Sequence, residues 1–278
     1  MTNTLQTLTV LLLAFFTLLG TQAQEFNGKA YYKSHQKMNV MLDSNDVTPE
    51  RQAAINEMFA KQFNKDYILE FDKTQSSYKE QEKLDEPTQA TQGMVFVAIS
   101  NASSLLYKNI KEKRYSSQRD LFGKEFLVKD ELEKIDWKMS KETKQIGQYT
   151  CYKATSTRMT SGSVSIDGDG TRTEEAPEEI TITAWYAPEL PISNGPELYW
   201  GLPGLIMEVN DGMQTIICVK LVLNSDDDLV IQEPKKGKEL NEEEFEVLMQ
   251  EKMQEMEKIE MGGKQKEGEH TMKITIGG

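Results

Sequence analysis

The fold is decided by residues 205–223, which read LIMEVNDGMQTIICVKLVL. From 215 to 223, apolar side chains fill both alternating sets of positions, which predicts a central strand covered on both faces. Before it, NDG at 210–212 is typical of a tight hairpin turn, and 205–209 has the alternation of a preceding strand. The two strands are therefore predicted to form an antiparallel hairpin at the centre of a sheet.

Alternation of apolar and polar side chains predicts further strands along the chain. They are expected at residues 30–40, 67–71, 94–99, 104–115, 125–129, 135–140, 146–157 and 180–186. Two segments, 49–63 and 241–261, have helical spacing instead, and there is no regular alternation of strand and helix that would build a parallel sheet. We therefore expect a mainly β (α+β) protein, with a single curved antiparallel sheet or half-barrel and one or two covering helices.

The acidic C-terminal helix is predicted at 241–261 because Asn241 and Glu244 form a capping-box pair. Thioether sulfurs are ligands for Cu(I), so a copper site on the methionines of this helix is an alternative. Helical spacing with the other apolar residues favours packing on the sheet instead. The apolar stripe consists of Phe245, Leu248, Met249, Met253, Met256 and Ile259.

Composition narrows the function classes. Of 278 residues, 38% are hydrophobic, and 45 acidic side chains stand against 32 basic ones. The apolar content excludes a disordered polyanion, and the presence of only one long apolar run excludes a multi-span membrane protein. A net charge of −13 opposes binding to nucleic-acid phosphates. The negative excess comes from residues 160–180 and 226–260, which we expect to lie outside the core.

The N-terminus has the features of a secretory signal peptide. The apolar run 8–19 is too short to span a bilayer, and TQA at 21–23 places small side chains at the −3 and −1 positions of a cleavage site. Removal of residues 1–23 leaves 24–278 as one domain, without a membrane span and without a cysteine near the cleavage point for lipid attachment. We expect a periplasmic or secreted protein.

Few side chains are placed for chemistry. The two histidines, His35 and His270, lie in no hydrolase or metal-binding motif, so we assign no catalytic residue, metal or cofactor. Cys151 and Cys218 lie in predicted strands, where they form either a disulfide or two separately buried thiols. Residues 165–170 are similar to a calcium loop but lack the bidentate acid at its twelfth position, which favours a solvated acidic loop.

The most specific feature is GLPGLI at 201–206. It follows AWYAPELPI at 184–192 and a Gly-Pro pair at 195–196, and CYKAT stands upstream at 151–155. With these flanking residues the sequence resembles the GLPGLI family, and the resemblance extends over the mature chain. It implies an exported envelope protein of Gram-negative bacteria, with no established enzymatic activity and no catalytic residues to carry over.

Two interpretations of the hexapeptide stand side by side. In the first, the two glycines and the proline form a tight corner that directs the leucines into the core. In the second, the segment is an exposed apolar surface that binds a ligand or partner. Turn chemistry accounts for each Gly and Pro and favours the corner. The candidate binding residues are Trp200, Gly201, Leu202, Pro203, Gly204, Leu205 and Ile206.

The expected function is that of an exported, non-enzymatic envelope protein that binds an apolar ligand or another envelope component. The alternative is a secreted hydrolase or other enzyme with an unfamiliar site. The sequence has no positioned histidine, Cys–His pair or metal cluster, which favours the first. Convergent carboxylates with shifted pKa values in a pocket would favour the second.

Overall fold

A computed structural model describes residues 26–36, 38–42, 64–81, 105–159, 163–166, 172–224, 229, 231–263 and 272–276. The predicted signal peptide, the helix at 49–63, the strand at 94–99 and His270 lie outside these ranges. The described residues form sixteen strands and one helix. The strands are β1 (Gly28–Gln36), β2 (Met38–Leu42), β3 (Lys65–Phe71), β4 (Gln75–Glu80), β5 (Leu105–Asn109), β6 (Arg114–Leu121), β7 (Lys124–Glu131), β8 (Lys138–Ile146), β9 (Tyr149–Met159), β10 (Ser163–Ile166), β11 (Arg172–Glu175), β12 (Glu179–Ala187), β13 (Leu205–Asn210), β14 (Gln214–Leu223), β15 (Lys238–Leu240) and β16 (Met272–Ile276), and the helix is α1 (Glu242–Gly263).

Twelve strands form one sheet, in the order β15-β7-β6-β5-β4-β3-β1-β14-β13-β12-β9-β8. Strands β3 to β7 form one meander, and β8, β9, β12, β13 and β14 form a second. Strand β1 pairs with β14 on one side and β3 on the other, so the N-terminal strand joins the two halves. Two small antiparallel pairs, β10 with β11 and β2 with β16, stand apart from the large sheet.

The mainly β fold is confirmed, with one correction. Strand β15 pairs with β7 in parallel, so the sheet is mixed and not wholly antiparallel. The reason lies in the connection: β14 lies in the interior of the sheet, and after it the chain crosses to the edge beside β7 and runs there in the direction of β7.

The link between β7 and β8 shows that the sheet is curved. Only residues 132–137 join these strands, although they stand ten positions apart in the sheet order. Seven Cα steps of about 3.8 Å reach at most about 27 Å, whereas ten strand spacings of a flat sheet cover about 48 Å. The sheet must therefore curl until its ends approach each other, which confirms the expected curvature.

A β-bulge at Val219 explains the apolar pattern of the central strand β14. The register of β1 against β14 skips this residue, which reverses the alternation beyond it. As a result, Ile216 and Cys218 before the bulge lie on the same face as Leu221 and Leu223 after it. The central position of β14 is confirmed, but burial on both faces is wrong, because Val219 is 54% exposed.

Two neighbouring strands also differ from expectation. The predicted strand 104–115 is divided into β5 and β6 by a turn, in which Lys113 has a φ of +55°. Strand β4 is not predicted by periodicity because its sequence, QSSYKE, has a single apolar side chain. Ser76 and Ser77 in this strand are nevertheless buried, so polar groups enter the interior here.

Residues 188–204, which connect β12 to β13, fold back into the concave side of the sheet; we call them the inner segment. The amide of Leu205 donates to the carbonyl of Leu190, and the amide of Ile206 donates to that of Asn194, each over 2.9 Å. Leu190 and Ile192 lie in the main hydrophobic cluster, to which strands near both ends of the sheet contribute. The inner segment therefore fills the space that the curled sheet encloses.

The helix α1 begins with the predicted capping box. The Asn241 side chain accepts from the Glu244 amide at 2.8 Å, and the Glu244 carboxylate accepts from the Asn241 amide at 2.9 Å. Phe245 is 2% exposed and meets Phe126 of β7 edge-on, at 5.8 Å between ring centroids. This contact fixes the start of the helix near one edge of the sheet; helices that cover the sheet are not confirmed. Within the described residues, no helix has both the length and the apolar composition needed to cross a bilayer.

The first turn of α1 is also held by charge. Both terminal nitrogens of Arg119 donate hydrogen bonds to the Glu242 carboxylate, at 2.7 and 2.8 Å. The Tyr115 hydroxyl donates to the same carboxylate at 2.5 Å. The guanidinium carbon of Arg119 lies 4.9 Å from the centre of the Phe245 ring. Leu248 and Met249 of the apolar stripe pack against the main hydrophobic cluster, as predicted. The side chains of Met253, Met256 and Ile259 lie outside the described part, so their packing stays a prediction.

Phe245→Ala should destabilise the protein by about 3–5 kcal/mol, because it removes a fully buried ring from the contact with β7. Val247→Ala on the same helix is the control, since Val247 is 50% exposed and should change stability little. Urea unfolding of both variants measures the difference. Equal midpoints would contradict the packing of α1 on the sheet.

Candidate functional site

The hexapeptide is mostly buried. Leu202 is 1% exposed and Leu205 and Ile206 are 0% exposed, whereas Gly201 and Pro203 reach the surface. Leu205 belongs to the main hydrophobic cluster, and Leu202 and Ile206 belong to a second cluster on the opposite face of β12 and β13. The apolar side chains of this segment are thus used by the core.

Two glycines of the hexapeptide are required by geometry. A Cβ on Gly204 would lie 2.2 Å from the carbonyl oxygen of Ala187, a backbone atom that has no freedom to move away. Gly201 has a φ of +94°, which side chains rarely tolerate. The structure therefore agrees with a structural corner.

Trp200 is held at this corner by two hydrogen bonds. Its indole nitrogen donates to the carbonyl of Glu133, and its own carbonyl accepts from the indole of Trp137, each at 2.8 Å. Both partners lie in the link between β7 and β8, so the corner ties this link to the inner segment. A binding role for the exposed atoms of Trp200, Gly201 and Pro203 stays a prediction.

Lys108 of β5 is the most unusual residue of the interior. It is 0% exposed, and its ammonium donates to the carbonyl of Gly195 at 2.6 Å and to that of Tyr199 at 3.4 Å. Burial lowers the pKa of Lys108 to about 7, because a charged ammonium loses its hydration there. Lys108 thus tethers the inner segment to the sheet and is partly neutral near physiological pH.

Three buried polar atoms near Lys108 have no hydrogen-bond partner among the described residues. They are the hydroxyl oxygens of Ser76 and Tyr78 and the side-chain nitrogen of Asn194. Ser76 pairs with Lys108 across β4 and β5, and Tyr78 follows on the same face. Asn194 directly precedes Gly195, whose carbonyl Lys108 binds. Buried polar groups are nearly always partnered, so this concentration marks the region as a candidate site.

Glu197 places a carboxylate beside these groups. It has a φ of +46°, and one of its oxygens accepts from Gln214 at 3.3 Å, while Gln214 also donates to Ser34 at 2.8 Å. Burial raises the pKa of Glu197 above its ordinary value. We call this set of polar residues the Lys108 cluster: Lys108, Ser76, Tyr78 and Asn194, which are buried, and Glu197, which is half-buried.

Tyrosine rings line the cluster. Tyr67 and Tyr78 stack at 4.8 Å between ring centroids, and Tyr32 meets Tyr78 edge-on at 6.3 Å. Burial raises the pKa of Tyr67, Tyr78 and Tyr199; the next cause is the charge of Glu80 for Tyr67 and the charge of Glu197 for Tyr78 and Tyr199. These phenols therefore stay protonated and are available as hydrogen-bond donors.

The residues considered for catalysis or metal binding are not brought into this cluster. His35 is exposed and hydrogen-bonded to Asn64 at 2.7 Å. Ser165 lies in β10, and the centre of the calcium-like loop lies outside the described ranges. Across the part of the chain that is described, no three His, Cys, Asp or Glu side chains come together as metal ligands.

Cys151 and Cys218 are buried, free thiols in this structure. Burial raises the pKa of Cys151 to about 11 and that of Cys218 to about 12, and for Cys218 the nearby Cys151 adds to the rise. Such thiols are unreactive because little thiolate is present at neutral pH. Their pairing in an oxidising compartment stays a prediction.

Sequence reasoning missed the Lys108 cluster. Lys108 stands in LLYKN, where apolar side chains occupy both faces of the strand and hide the inward position of the lysine. The available signal was the lysine itself, on the same face as Leu106 in an otherwise apolar strand. Asn194 and Glu197 lie in a connection that alternation does not describe.

Gly204→Ala should lower the melting temperature by roughly 3–10 °C, because the added methyl group overlaps the Ala187 carbonyl and such overpacking costs about 1–3 kcal/mol. Pro203→Ala at the exposed neighbouring position is the control. Calorimetry of the two variants makes the comparison. An unchanged melting temperature in Gly204→Ala would show that the corner is not structural.

The Lys108 amine should give the protein a characteristic pH dependence. Its pKa is about 7 in the folded chain and about 10.4 when unfolded, so the unfolded chain binds more protons between these values and stability rises with pH there. Lys108→Met should therefore lose stability relative to the wild type as pH is raised from 6 to about 9.5. Lys134→Met, at an exposed site, should run parallel to the wild type. Parallel urea-unfolding profiles for Lys108→Met would refute the assignment.

Comparison with solved structures gives distant likenesses. PNGF-II, in two crystal forms, has a TM-score of 0.45 and 14% identity over 81% of this chain, which spans 33% of PNGF-II. LprF from Mycobacterium bovis has a TM-score of 0.21 and 9% identity, over 77% of this chain and 90% of LprF. These values are too low to support an argument about function.

Sequence comparison is more specific. No curated protein matches the chain. The part of the chain that matches a known protein family runs from just before β8 into β13. It includes Cys151, the inner segment and the hexapeptide. Residues 137–208 match the family described as "Protein of unknown function (Porph_ging)", the GLPGLI-type family, which confirms the resemblance seen in the sequence for this part of the chain.

Proposed function

We propose that the mature chain is an exported, non-enzymatic binding protein of the cell envelope, with its ligand site at the Lys108 cluster. One observation carries the proposal: Ser76, Tyr78 and Asn194 each bury a polar atom that has no partner among the described residues, beside a buried lysine. Leaving such a group unpaired costs about 1–3 kcal/mol, and a ligand that pairs with all three would recover this energy.

The geometry favours a polar ligand over the apolar one expected from sequence. Side chains of the inner segment and of both meanders pack together in the main hydrophobic cluster on the concave side. The described groups with unused bonding capacity are hydroxyl, amide and ammonium groups instead. The ligand is therefore one that makes hydrogen bonds.

A hydrolase is the second candidate, and one juxtaposition favours it. Ser76 and Lys108 are cross-strand neighbours, and a neutral lysine beside a serine is a known way to activate the hydroxyl. Against this, the Lys108 amine donates to two backbone carbonyls and makes no hydrogen bond to Ser76. Binding accounts for these facts better than catalysis.

The signal-like N-terminus supports the choice of compartment. The first 23 residues have the organisation of a cleavable signal, so the mature chain should begin at Gln24. N-terminal sequencing of the protein from a periplasmic or culture fraction tests this step.

The binding site is tested with the double variant Ser76→Ala/Tyr78→Phe, which removes two unpartnered hydroxyls without changing the shape of the core. The full chain, purified under native conditions, should carry a small molecule detectable by native mass spectrometry, and the variant should lose it. Its melting temperature should stay equal or rise, since no existing hydrogen bond is removed. Tyr107→Phe is the matched control, because the Tyr107 hydroxyl bonds to Gln75 and its ring lies on the other face of β5.

Two results would contradict the proposal. Identical bound masses in the wild type and the double variant would place any ligand elsewhere. Covalent labelling of Ser76 by a fluorophosphonate, lost in Lys108→Met, would favour the hydrolase.

A further inference from the structure

We infer that the ligand of the Lys108 cluster is a small neutral compound with several hydroxyl groups, a sugar or a polyol. The inference rests on the proposed function and adds the chemical class of the ligand. It follows from the hydrogen-bonding inventory of the cluster, from its charge balance and from the aromatic rings beside it.

The inventory contains unused donors and unused acceptors side by side. The Lys108 ammonium has three N–H groups, and two carbonyl oxygens accept hydrogen bonds from it. The side-chain nitrogen of Asn194 has two N–H groups, and neither has an acceptor among the described residues. The Glu197 carboxylate accepts a hydrogen bond from Gln214 at 3.3 Å, and a carboxylate has the capacity to accept more than one. The hydroxyls of Ser76 and Tyr78 are able both to donate and to accept. A ligand hydroxyl has the same dual capacity, so adjacent hydroxyls complement this mixed set.

Charge excludes the other common ligand classes. An anion bound at Lys108 would be repelled by the nearby carboxylate of Glu197. A cation bound at Glu197 would be repelled by the nearby ammonium of Lys108. The interior disfavours charge in general, since burial shifts Lys108 and Glu197 towards their neutral forms. A zwitterion would require both groups to be fully charged at a site that opposes this. A neutral ligand avoids the cost.

The rings beside the cluster suit the non-polar part of such a ligand. Tyr67 and Tyr78 are 7% and 3% exposed, and Tyr199 supplies one of the carbonyls that Lys108 binds. The C–H groups of a polyol pack on apolar ring atoms, while its hydroxyls reach the polar groups around them. Sugar and polyol share this chemistry, and they differ in size.

The probes are glycerol, myo-inositol and D-glucose, with acetate and glycine as charged and zwitterionic comparators, measured by ligand-observed NMR on the full chain. Wild-type protein should give saturable binding of at least one hydroxylated probe and none of the comparators. Ser76→Ala/Tyr78→Phe should weaken that binding by about tenfold or more, from two lost hydrogen bonds of about 1 kcal/mol each. Tyr107→Phe should bind like the wild type.

A second variant separates the ligand classes. Glu197→Gln keeps a side-chain acceptor and removes the charge, so affinity for a neutral hydroxylated probe should change by no more than a few-fold. Loss of all probe binding in Glu197→Gln would show that the site requires the charge of the carboxylate and would overturn the inference.

The results that would refute a hydroxylated ligand are different from those that would refute a binding function at the Lys108 cluster. Binding of acetate or glycine that the double variant abolishes would overturn the hydroxylated class and leave a binding site in place. If the double variant binds a hydroxylated probe as tightly as the wild type does, the probe binds at another site and the inference is refuted. If no probe binds while a molecule without hydroxyl groups co-purifies with the wild type only, the class is wrong and the binding function stands.

Discussion

The short link between β7 and β8 is the constraint on which the rest of the structure depends. Residues 132–137 join two strands that are ten positions apart, and a flat sheet of that width would be beyond their reach. The sheet has to curl, and a curled sheet of this size encloses more volume than its own inward side chains fill. The inner segment occupies that volume, and Trp200 binds it to the same link that forces the curvature.

Irregular backbone that fills an interior loses water as a hydrogen-bond partner for its polar groups. Carbonyl groups of the inner segment are removed from water and need donors from the sheet. Lys108 supplies two of these hydrogen bonds, at Gly195 and Tyr199. The cost is a buried amine with a depressed pKa, and neighbours such as Asn194 that lack a full set of hydrogen-bond partners among the described residues. The features that hold the inner segment in place thus also produce the candidate site.

Much of the fold was predictable from local pattern. The hairpin of β13 and β14, the cap of α1 at Asn241 and the corner at Gly204 follow from turn, capping and backbone chemistry, which act over a few residues. Predictions failed where a distant partner decides the outcome. The bulge at Val219 is invisible in β14 alone, because the skipped residue exists only in the register against β1. Burial of Ser76 in β4 likewise depends on strands that lie far away in sequence.

By itself, the sequence determined a sheet protein with a signal-like leader, an acidic surface excess and the GLPGLI corner, since alternation, apolar length and glycine geometry are local properties. Only the tertiary structure decided the site. Lys108 and Asn194 are 86 residues apart, and nothing local to either predicts that one will bind the carbonyl beside the other. Their meeting is a consequence of the curled sheet and the returning inner segment, and the buried environment that shifts the Lys108 pKa exists only after both have formed.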